Sequence, residues 1–68
     1  MNKLDIYRRQ EEFRDLRDLV YNNAVVSRFV AMYVHGEIVS KDECMFQIIR
    51  ELAKTRNELI KRATDEAL

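Results

Sequence analysis

Four arginines, Arg8, Arg9, Arg14 and Arg17, stand close together near the start of the chain, with Tyr7 and Tyr21 on either side. Guanidinium groups grip phosphates and carboxylates through a planar fork, and phenol rings offer faces on which bases stack. This segment is therefore where recognition of an anionic partner, RNA or a small anionic molecule, would reside. Acids interleave with it: Glu11, Glu12, Asp15 and Asp18. Arg8–Glu12 and Arg14–Asp18 have i,i+4 helical spacing. The plainer expectation is a solvated face of mutual salt bridges, worth roughly a few tenths of a kcal/mol each.

Arg56 is the second candidate. It interrupts an apolar stripe between Leu52 and the pair Leu59 and Ile60. A functional reading makes it a cation waiting for an anionic ligand. The structural reading, which is the expected one, has it snorkel or pair with Asp15 or Asp18.

Nucleophilic chemistry would need Cys44 beside His35 as base. Cys44 falls at a position expected to be covered, which favours an inert thiol. No serine–acid constellation surrounds His35. One cysteine and one histidine do not supply a structural zinc site. The carboxylates lie on solvated faces with no pocket to shift their pKa values. The expectation is thus a non-enzyme without cofactor or metal.

Composition narrows the partners. Twelve basic residues balance twelve acidic ones, so wholesale electrostatic binding of nucleic acid is disfavoured. The charged start "MNKLDIYRRQEE" is unlike a secretory leader, and the longest apolar-rich run is too short for a membrane span of roughly 20 residues. A single cysteine fits a reducing setting, so the expected location is cytoplasmic.

These residues need elements to hold them. Gly36 is the sole glycine and follows a long helical pattern, as a helix-terminating C′ residue does. "SKDE", Ser40 to Glu43, is a capping box, with Val39 and Cys44 at the staple positions. The spacing predicts helix 1 over about 3–35, a loop over 36–40 and helix 2 over about 41–66 in one domain. Asn22 and Asn23 mark the one weak point, where Asn23 could cap a break. Ile38 and Val39 are expected to tuck under the turn. The expected fold class is all-α, an antiparallel two-helix hairpin.

Helix 2 has one apolar face. Helix 1 has more than one partner can cover. From Ala24 to Val34, nine of eleven residues are apolar. A chain of 68 residues builds only a marginal core alone. A second copy is the expected remedy, giving a homodimeric four-helix bundle with Val25, Val26, Phe29, Val30, Met32 and Tyr33 at the interface. Met32 and Met45 with Phe29 and Phe46 are expected in the bundle core near the hinge, and would make an adaptable partner-binding surface where part of them stays exposed. The expected shape is similar to that of Rop-type RNA-binding hairpins, an analogy of architecture that carries no residues over.

The function expected on these grounds is that of a small regulatory or interaction protein. It would associate with itself and dock on another macromolecule, most readily a protein. The alternative is an RNA- or anionic-ligand-binding bundle that uses Tyr7, Arg8, Arg9, Arg14, Arg17, Tyr21 and Arg56.

Overall fold

The structure, a computed structural model, describes residues 2–67. These residues form α1 (Lys3–Glu11), a single 3-10 turn (Arg14–Leu16), α2 (Arg17–Asn22), α3 (Ala24–Val34) and α4 (Lys41–Ala67), and contain no strand. The all-α class is as expected. Helix 2 of the sequence reading corresponds to α4. Helix 1 does not run unbroken over 3–35 but is divided into three helices and a 3-10 turn.

The first break follows α1. Phe13 (φ −108°, ψ 18°) and Leu16 (φ −106°, ψ 17°) leave helical geometry on either side of the 3-10 turn. No glycine or proline causes this. The cause is burial: the turn brings Ile6, Arg9 and Phe13, spaced along one face of α1 and its extension, onto α3. Phe13 becomes 3% exposed and meets Tyr33 edge-to-face, with ring centroids 5.5 Å apart. Such aromatic pairs contribute about 0.5–1.5 kcal/mol beyond the area they bury. A straight helix would leave the C-terminal half of the apolar run bare.

The second break is the one that Asn23 allowed. Its extended backbone ends α2, and its Oδ1 accepts N–H bonds from Val25 (3.0 Å) and Val26 (3.1 Å), which cap α3. The chain can thus change direction without orphaning the first amides of α3.

α3 ends in a Schellman motif. Gly36 takes φ 84°, and the N–H groups of Glu37 and Gly36 donate to the carbonyls of Met32 (2.8 Å) and Tyr33 (3.1 Å). This geometry buries Ile38 and leaves Val39 77% exposed. The expected staple between Val39 and Cys44 is therefore not made; Ile38 fills the space under the turn. At the start of α4, Glu43 N–H donates to Ser40 Oγ at 3.1 Å, one arm of the capping box.

α3 is the hub on which α1, α2 and α4 pack. The core is Phe13, Val26, Phe29, Val30, Tyr33, Val34, Ile38, Cys44 and Ile48. Four of the six residues expected at a dimer interface (Val26, Phe29, Val30 and Tyr33) lie inside it, while Val25 and Met32 are half-buried at its edge. No second copy is needed to cover them, because folding back α1 and α2 supplies the cover within one chain.

α4 is different. Ile48 is its last buried residue, and every residue from Leu52 to Glu66 is exposed. A helix of 27 residues is roughly 40 Å long, and the molecule measures 54 × 21 × 13 Å. The outer part of α4 thus carries an apolar stripe that nothing in the described chain covers: Ile49, Leu52, Leu59 and Ile60 are 61%, 37%, 60% and 51% exposed.

Candidate functional site

The structure disperses the arginine-rich segment. Arg8 reaches Asp5 at 3.8 Å on the exposed side of α1, the single ion pair among the described residues. The expected i,i+4 pairs are not formed: Arg8 turns to Asp5 while Glu12 accepts from Tyr33, and the 3-10 turn interrupts the helix between Arg14 and Asp18.

Arg9 turns inward. Its Nη1 donates to the carbonyls of Tyr33 (3.0 Å) and Ile38 (3.3 Å), and its guanidinium lies 4.7 Å from the Tyr33 ring centroid. A cation here also suits the negative end of α3. The Tyr33 hydroxyl in turn donates to the Glu12 carboxylate. Arg9, Tyr33 and Glu12 therefore form one polar latch that fastens α1 to the end of α3. The Nε of Arg9 is buried without a partner among the described residues.

The latch gives a pH signature. Burial first, then the hydrogen bond and charge of Glu12, raise the Tyr33 pKa above its ordinary 10.0, while Arg9 and Arg8 pull it the other way. The folded chain then holds a proton that the unfolded chain gives up. This contribution to stability is complete below pH 10.0 and is lost as pH rises through the folded value. The urea midpoint of the native chain should fall between pH 8 and pH 11 by more than that of Tyr33→Phe. Equal falls would show that this proton is not held by the fold.

Arg14, Arg17 and Tyr21 come together. They line a cleft of about 290 Å³ between the end of α1 and the faces of α2 and α3. Phe13, Val20 and Val30 supply apolar walls, and Gln10 and Glu11 stand on the α1 side. Tyr7 lines no part of it and is 61% exposed on α1.

Arg56 is exposed on α4 and makes neither of the pairs expected with Asp15 or Asp18. Those acids belong to the 3-10 turn and to α2, which packs on α3, while Arg56 lies beyond the last buried residue of α4.

Cys44 is 0% exposed, donates its thiol to the Phe29 carbonyl at 3.2 Å, and has its pKa raised by burial. A thiol held protonated in this way is a poor nucleophile at neutral pH. His35 is exposed at the end of α3.

The uncovered stripe of α4 is what the sequence reading missed. The stripe is legible in the spacing, but an unbroken helix 1 over 3–35, a partner longer than helix 2, would have covered it along its whole length. The Asn23 break shortens that partner to α3, eleven residues against the 27 of α4.

Comparison of the chain with protein-family models, curated proteins and solved structures finds no match. No described helix is long and apolar enough to cross a membrane.

Proposed function

We propose that this chain is a non-catalytic interaction protein that associates with a second copy of itself along α4 and docks, as that assembly, on another protein. The observation that carries the reading is the bare apolar stripe of Ile49, Leu52, Leu59 and Ile60. The stripe is near-symmetric about Arg56. If two copies lie antiparallel about that residue, Ile49 faces Ala63 of the second copy, Ala53 faces Leu59, and Leu52 faces Ile60. Large side chains then oppose small ones in two of three layers, as close packing requires. The homodimeric bundle expected from the sequence is retained in altered form, with its seam along α4 rather than across residues 25–33.

Arg56 would sit at the centre of this seam. Its long stem allows the guanidinium to reach water beside the seam, at a cost in stability. A polar residue at a single seam position fixes register and stoichiometry in helical assemblies. Arg56→Met should therefore leave the fold intact, tighten association and broaden the range of oligomers. Sedimentation velocity at micromolar concentration tests both points. A native chain that sediments as a monomer overturns the proposal, and a variant that associates less overturns the role given to Arg56.

A further inference from the structure

The cleft beside the 3-10 turn shares no residue with the α4 stripe, and its chemistry is of a different kind. Arg14 and Arg17 both line it, and neither has a carboxylate within 4.0 Å among the described residues. Tyr21, 80% exposed, lines it too; Val20 gives it an apolar side, and the core residues Phe13 and Val30, 3% and 6% exposed, close its floor. Two unpaired guanidiniums next to apolar walls and an exposed phenol ring suit a flat apolar body that ends in an oxyanion. Binding pockets combine apolar walls with a few placed polar groups in this way, and about 290 Å³ is near the lower end of their usual size. Glu11 stands on the α1 side of the same cleft. Its negative charge disfavours a ligand anionic at both ends and favours one whose far end is neutral or carries an N–H or O–H donor.

We propose that this cleft binds a planar aromatic molecule bearing one oxyanion group, phosphate or carboxylate. Arg14 and Arg17 take the oxyanion through charge-assisted hydrogen bonds. Tyr21 stacks on the ring, and Val20 and Val30 lie beneath it. The site exists only because the chain breaks after α1; a continuous helix would have no concavity here.

Titration of the full chain by amide-resolved NMR tests this, with 1-naphthyl phosphate, 1-naphthyl carboxylate, 1-naphthol and inorganic phosphate as separate probes. The two aryl anions should shift the amides of residues 13–21 and Val30 saturably, and the stronger of them names the preferred oxyanion. Naphthol and inorganic phosphate should each bind at least tenfold more weakly. Arg14→Ala with Arg17→Ala should weaken the aryl anions at least tenfold. Both arginines are exposed, so the melting temperature should hold, and a changed melt is resolved by Arg14→Lys with Arg17→Lys, which keeps the charge and should keep partial binding. Three results would overturn the site: naphthol binding as well as the anions, shifts confined to α4, or a double-alanine variant of native fold that binds unchanged. The oligomer proposal stands or falls separately, because none of these probes reads sedimentation.

Discussion

Leu59→Glu combined with Ile60→Glu is expected to convert the assembly to monomers without unfolding them. These side chains are 60% and 51% exposed in the single chain, so their replacement removes little from its core. In the proposed dimer four such side chains leave water. Full burial of one is worth about 1.5–3 kcal/mol, and roughly half remains to be gained at this exposure. The double variant should then weaken association by about 3–6 kcal/mol, two to four orders of magnitude in Kd. The new carboxylates would also be set against Ala53 and Leu52 of the second copy, where a charge has no partner. Glutamate is a good helix former, so loss of α4 is not the expected cause. Sedimentation equilibrium with far-UV circular dichroism separates the cases: fewer dimers with a retained helical signal supports the seam, and unchanged mass sinks it.

Phe13→Ala should have the largest effect on folding. The ring is 3% exposed, packs edge-to-face on Tyr33, and lies under the Lys41 ammonium at 5.6 Å. Removing a buried phenylalanine side chain costs about 3–5 kcal/mol. Small chains lie toward the lower part of the usual range of about 5–15 kcal/mol, so the loss takes most of what is available. Urea unfolding followed by circular dichroism should show a transition displaced far toward zero denaturant or absent at 25 °C. The Tyr33 ring protons give a second readout in mild stabilising conditions. They should move when Phe13 is removed, because the two rings touch. In an unbroken helix those residues would stand roughly 30 Å apart, and the Tyr33 signals would not respond.

What could be read from the sequence, and what could not, follows from where each feature gets its energy. The end of α3 at Gly36, the start of α4 at Ser40 and the cap at Asn23 are local devices made of side chain and backbone within a few residues. Their residue types announce them. The turn after α1 has no such device. "EEFRDL" contains no glycine, proline or asparagine, and its spacing continues a helix. It turns because Phe13, Arg9 and Glu12 gain contacts with Tyr33, about twenty residues on, that no local pattern can record. The same error moved the expected interface. Once α1 and α2 fold back, Phe29 and Val30 need no second copy, and the uncovered apolar surface passes to α4. Among the candidate binding residues, Arg14, Arg17 and Tyr21 converge. Arg9 becomes structural, and Arg8 and Tyr7 remain on the outside of α1.

The latch of Arg9, Tyr33 and Glu12 has one more consequence. α1 has nine residues, and an isolated helix shorter than about 12–15 residues is marginal in water. It therefore exists as a helix only while docked, so coiling and docking form a single cooperative event. When α1 leaves, Phe13, Tyr33 and Ile38 are laid bare together, and the cleft at Arg14 and Arg17 loses the wall that α1 gives it. The N-terminal segment is thus a cover for a third of the core, and the aryl-anion cleft is a hallmark of the covered state alone.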